Sequence, residues 1–125
     1  MNLVTGATGI VGMPLVVKLL QRGEVVRALR RATSDTGLLE AAVLQQVPEG
    51  RTRLEWVEGD LTDQASLEDA LEGVQRVFHC AALVSFHSKD HGLMERINAQ
   101  GTAHLVDAML HRGTPRLLHV SSVAA

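Results

Sequence analysis

TGATGIVG, residues 5–12, holds three glycines at the spacing G-x-x-G-x-x-G. A short apolar run, residues 2–5, leads into it. Apolar residues at 10, 11, 13, 15, 16, 17, 19 and 20 follow, predicting a helix over 10–21 that is buried on much of its circumference. Pro14 falls in the first turn, where its missing N–H does little harm, and Gly23 is a C-terminal cap. The stretch is therefore a turn between a strand and a helix. Gly6 lets the chain leave the strand sharply, Gly9 leaves the backbone bare where a ligand would approach, and Gly12 lets the helix pack close to the sheet. The opening turn of the helix offers N–H groups and partial positive charge to an anion.

Downstream, short apolar runs alternate with helical stretches. Residues 25–29, 54–57, 76–80 and 117–121 predict strands, and residues 37–47, 64–71 and 92–111 predict helices. No internal repeat interrupts this order. The alternation predicts an α/β fold, a Rossmann-type doubly wound parallel sheet of strand order 3-2-1-4-5 in one domain over 1–125, truncated after strand 5. In that setting a glycine turn between strand and helix is the pyrophosphate cradle of a dinucleotide, with Thr8, Ile10 and Val11 beside the three glycines as cofactor contacts. The alternative is a purely structural turn. No Lys-Ser or Lys-Thr follows, which disfavours a phosphate loop of the ATPase kind.

Bulk properties narrow the classes. The 125 residues are 46% hydrophobic, enough for a real core. Twelve basic residues against 14 acidic ones leave a net charge of −2, which argues against a nucleic-acid or anionic-membrane partner. No apolar run approaches the ~18 residues of a membrane span. The one cysteine, Cys80, has no partner for an internal disulfide and no activating motif, so a buried thiol is expected. The start enters a strand directly, without the basic head and long apolar run of a signal peptide. A cytoplasmic protein is the resulting expectation.

Five motifs in order carry a resemblance: TGATGIVG, GDLTD (59–63), VFHCAALVSF (77–86), INAQGT (97–102) and LLHVSSVAA (117–125). Together they resemble the extended short-chain dehydrogenase/reductase superfamily, the NAD-dependent epimerase/dehydratase family. The wording LVSF and VSSVAA is most similar to its dihydroflavonol-reductase-like and 3β-hydroxysteroid-dehydrogenase-like members. The resemblance implies NAD(P) as cofactor and hydride transfer to or from a carbonyl or alcohol in a small-molecule substrate. It also implies that the parent protein is a homodimer formed through the long fourth helix.

Residue by residue, the resemblance sets Arg30 where NAD enzymes of this kind often carry an acidic residue, with Arg31 next. Two guanidinium groups suit the 2′-phosphate of NADP, which favours NADP over NAD, and Thr33 and Ser34 could add hydroxyls. The alternative is that one or both arginines are only solvated at a strand end. Asp60 would hold the adenine amino group and Leu61 would offer its backbone to the ring, unless they are a turn residue and a core residue. Ala81 and Ala82 would line the cofactor. Ser122, with Ser121 as the register alternative, would orient the substrate oxygen, and Asn98 would support it structurally or in a water relay.

The family's general acid/base is a Tyr in Tyr-x-x-x-Lys, and this chain has no Tyr. The expectation is an N-terminal cofactor-binding part of a longer enzyme, inactive alone. A non-catalytic NADP-binding sensor is the alternative, and a bare structural domain the third. Of the six histidines, His87 and His91 lack a carboxylate partner at a convincing spacing. His104 and His111 are expected to face solvent, and His79 and His119 to sit at the core edge. No metal site is expected.

Overall fold

The computed structural model describes residues 1–81 and 91–120. Its elements are β1 (Asn2–Thr5), α1 (Gly12–Gln21), β2 (Val26–Arg30), α2 (Gly37–Gln46), β3 (Leu54–Glu58), α3 (Gln64–Ala70), β4 (Arg76–His79), α4 (His91–Glu95), α5 (Gly101–Arg112) and β5 (Arg116–His119). The strands form one parallel sheet of order β3-β2-β1-β4-β5, the expected doubly wound topology.

Each inner strand feeds two cores, because successive side chains point to opposite faces. Leu3, Leu29 and Val77 pack with Leu67 of α3, Leu71 just after it, and Leu105 and Met109 of α5. Val4, Ala28 and Val26 pack with Val16, Leu20, Leu39 and Val43 from α1 and α2. All four residues of β1 are buried, the apolar Leu3 and Val4 on opposite faces and the polar Asn2 and Thr5 at its two ends. At the rim, all four residues of β5 are exposed. No helix among the described residues is long and apolar enough to cross a membrane.

Three local readings are corrected. The first helix begins at Gly12, and Ile10 and Val11 stand outside it, 93% and 50% exposed rather than buried. Between Pro48 and Arg53 the chain forms a 3₁₀ segment that no periodicity announced. Residues 92–111, expected as one helix, are α4 and α5 joined by a π-helical turn, Arg96–Gln100. There the Thr102 hydroxyl donates to the Asn98 carbonyl at 2.7 Å, a side-chain bond of the kind that competes with helical hydrogen bonding.

Backbone contacts crowd the glycine turn. Gly6 has φ +67°, and a Cβ there would lie 2.6 Å from the backbone N of Ala81. A Cβ on Gly12 would lie 1.9 Å from the Gly6 carbonyl oxygen, so Gly12 serves the turn itself rather than helix-to-sheet packing. Gly23 provides the contrast, with φ +81° and nothing within 4 Å of a Cβ. Gly23→Ala should therefore cost about 1 kcal/mol, the left-handed backbone term alone. Gly6→Ala adds a clash between two backbones, and its cost should exceed ~3 kcal/mol. Urea unfolding of both variants checks the ranking, and equal losses would refute it.

Candidate functional site

A cleft of about 320 Å³ opens at the carboxyl ends of β1, β2, β3 and β4. Connections leave β1 toward β2 on one side, while β4 lies on the other, so the cleft sits at the point where the winding reverses. Its lining is Gly6, Thr8, Gly9, Leu29, Arg30, Arg31, Ser34, Gly59, Asp60, Leu61, Cys80, Ala81 and Leu93.

Of the sequence-predicted residues, Gly6, Thr8, Gly9, Arg30, Arg31, Asp60, Leu61 and Ala81 converge on this cleft. Ile10, Val11 and Gly12 do not line it: the first two are exposed and Gly12 is buried. Ala82, Ser121 and Ser122 lie outside the described residues. Asn98 sits on the π-helical turn, half-buried, away from the lining. Thr33 is exposed and does not line the cleft, whereas Ser34 does. Leu29, Gly59, Cys80 and Leu93 were not singled out. Gly59 and Cys80 directly follow a strand and Leu29 is the last residue but one of β2, so the carboxyl-end rule for parallel sheets was the signal that could have found them.

The wall between β1 and β4 is a directed hydrogen-bond chain. The Thr5 hydroxyl accepts from the backbone N–H of Cys80 and of Ala81, each at 3.1 Å. Its own proton then goes to His79 Nδ1 at 2.6 Å. On the other side of the ring, His79 Nε2 lies 2.9 Å from the Thr102 hydroxyl, whose proton is given to the Asn98 carbonyl. These directions require a neutral imidazole protonated on Nε2. His79 is 1% exposed, and burial together with the neighbouring His119 pushes its pKa down to about 4. His79 is thus fully in the core, while His119 on β5 is exposed.

At β2 and β3 the polar groups are also assigned. The Arg30 guanidinium folds onto its own loop, donating to the Arg31 carbonyl at 3.3 Å and the Ala32 carbonyl at 3.1 Å. The Arg31 N–H donates to Ser34 Oγ at 3.0 Å, and the Arg31 side chain is exposed. Gly59 N–H donates to the Arg30 carbonyl at 2.9 Å, which ties the two strand ends together. Asp60 Oδ1 accepts from the Thr62 N–H at 2.9 Å and the Thr62 hydroxyl at 2.8 Å. These bonds, and the charge of Arg31, hold its carboxyl below the usual carboxylate range. Burial pushes the half-buried Cys80 thiol up, away from a reactive thiolate. Neither helix histidine is merely solvated: His104 donates from Nδ1 to the Leu61 carbonyl at 2.7 Å, and His111 Nδ1 meets Glu68 Oε1 at 2.6 Å.

Known proteins share this sequence pattern and this fold. Residues 2–125 match the family model described as "NAD dependent epimerase/dehydratase family". Sterol demethylase protein B of Methylococcus capsulatus is 41% identical over 124 residues, 99% of this chain and 35% of that protein. Dihydroflavonol 4-reductase of Zea mays is 37% identical over 123 residues, 98% of this chain and 34% of that protein. A short-chain dehydrogenase/reductase superfamily protein from Agrobacterium tumefaciens, solved with bound NAD, superposes with a TM-score of 0.77 at 34% identity, covering 98% of this chain and 32% of that one. The chain thus spans about a third of the length of the curated relatives it matches.

The buried His79 gives the fold a pH dependence. An unfolded histidine takes its proton near pH ~6.5, whereas the folded one refuses it down to about 4. Above that window both states are neutral and pH has no effect through this group. Within it the unfolded state binds more protons, so stability falls as the pH drops, by an order of ~3 kcal/mol in all. Urea unfolding from pH 7 to 4 should show this slope, and His79→Gln should flatten it by about one proton whatever its effect at pH 7. An unchanged slope in the variant would refute the assignment.

Proposed function

This chain belongs to the NAD dependent epimerase/dehydratase family, and on that premise we propose that residues 1–125 form a nucleotide-binding domain that seats NADP, in preference to NAD, in the cleft where β1 and β4 diverge. The observation that carries this reading is the convergence of the Gly6–Gly9 turn, the Arg30–Arg31 pair and Asp60 on one cleft. The residues fit such a group. Gly9 lines the cleft exposed and without a side chain, and no side chain caps the amino end of α1, which leaves that end suited to a pyrophosphate. Asp60 would accept from the adenine amino group beside Leu61, and Ala81, with Ala82, would keep the far wall low.

The two arginines divide the work. With the Arg30 guanidinium turned onto the carbonyls of residues 31 and 32, its part is to build the loop. Arg31, exposed on the cleft rim with Ser34 bracing its backbone, is the proposed partner of a 2′-phosphate. When bound, the nicotinamide supplies hydride exchange with a carbonyl or alcohol carbon. The chain's own residues hold and orient it, and Ser122, or Ser121 in the alternative register, is proposed to position the substrate oxygen, supported by Asn98.

Fluorescence titration with NADPH and NADH tests the proposal. NADPH should bind more tightly. Arg31→Ala should lose roughly ten- to hundredfold in NADPH affinity, the value of a hydrogen bond to a charged group, with NADH almost unchanged. Arg30→Ala should weaken both. Equal affinities in the parent chain would overturn the NADP preference, and no binding of either at millimolar concentration would overturn the nucleotide reading.

A further inference from the structure

His104 lies on α5 and donates across 43 residues to a backbone carbonyl at the edge of the cleft, that of Leu61, at 2.7 Å. That carbonyl and the Thr62 N–H belong to one peptide unit, and the N–H is the group that holds Asp60 Oδ1 at 2.9 Å. A peptide unit is planar, so fixing its oxygen fixes the direction in which its N–H points. His104 and Asp60 therefore grip the same plane from opposite edges. The Leu61 side chain anchors that plane in the α3/α5 core, 7% exposed. Asp60 Oδ1 is committed to Thr62 twice over, whereas Oδ2 has no hydrogen-bond partner among the described residues.

We propose that His104 is a positioning residue for Asp60, acting through the Leu61–Thr62 peptide to turn the carboxylate so that one oxygen remains for a donor in the cleft. The donor is the exocyclic amino group of an adenine, and this part rests on the nucleotide reading above. The positioning part does not. A carbonyl acceptor requires the proton on Nδ1, so His104 is held in the tautomer opposite to that of His79. The charged group facing Asp60 among the described residues is Arg31 from the β2 loop, and His104 on α5 reaches it only through the peptide.

The test compares His104→Ala and His104→Leu, which remove the donor, with His104→Asn, whose amide N–H can stand near the Nδ1 position. Leu keeps the bulk should the Ala variant fail to fold. The Asp60 carboxyl is titrated by ¹³C NMR, and ADP-ribose and nicotinamide mononucleotide binding are measured by calorimetry. In the Ala and Leu variants the Asp60 titration should move up toward that of an ordinary aspartate. ADP-ribose should bind roughly three- to tenfold more weakly, the net value of one hydrogen bond, with nicotinamide mononucleotide unaffected. Asn should restore both. An Asp60 titration that ignores His104 overturns the proposal. A titration that responds in a parent chain that binds no ADP-ribose upholds the positioning role and overturns the adenine reading.

Discussion

The seam between β1 and β4 governs this molecule. Thr5 and His79 face each other across it in register, both buried. A hydroxyl and an imidazole inside a core are costly unless every polar atom is satisfied. Here one chain of hydrogen bonds satisfies them, running from the amides of residues 80 and 81 through Thr5, His79 and Thr102 to the Asn98 carbonyl. It fixes the separation of the strands at the point where they diverge. Gly6 can then lie against Ala81 with no room for a Cβ between them. The cleft exists because this seam is closed below and open above.

The same chain explains the broken helix. Thr102 reaches His79 from the first turn of α5, and its hydroxyl bonds the Asn98 carbonyl in the π-helical turn before it. His104, two residues on, reaches the end of β3 instead. Helix α5 is thereby tied to both walls of the cleft, and the two histidines carry their protons on opposite nitrogens. Arginine use is comparably specific: Arg30 bonds two carbonyls of its own loop, Arg27 bonds the carbonyls of Ala70 and Glu72 after α3, and Arg53 bonds the Leu20 carbonyl at the end of α1. Each satisfies carbonyls that a helix end or loop would leave unpaired.

Periodicity read the five strands as short segments alternating with helical ones, and the βαβ rule then gave their order; Leu3 and Val4 of β1 and Ala28 and Leu29 of β2 are apolar pairs buried on the two faces of the sheet. It misread Ile10 and Val11, since apolar residues at helical spacing were counted into a helix that starts only at Gly12. Nothing in the spacing distinguishes a buried isoleucine from one left 93% exposed at the rim of the glycine turn. The 3₁₀ segment after Pro48 escaped because Glu, Gly, Arg and Thr read as loop, yet Gly50 packs against Leu20 there.

The residues alone determined the α/β alternation, the glycine turn at the first strand end, the Arg30–Arg31 pair and the absence of tyrosine, because each is a matter of local pattern or composition. Tertiary structure decided which of those residues share a cleft, since Gly6, Arg31, Asp60 and Ala81 meet only when four strand ends are brought side by side. It also decided what the histidines do. Proton direction on a ring depends on its two neighbours in space. For His79 those are Thr5 and Thr102, and for His104 the neighbour is a carbonyl 43 residues away.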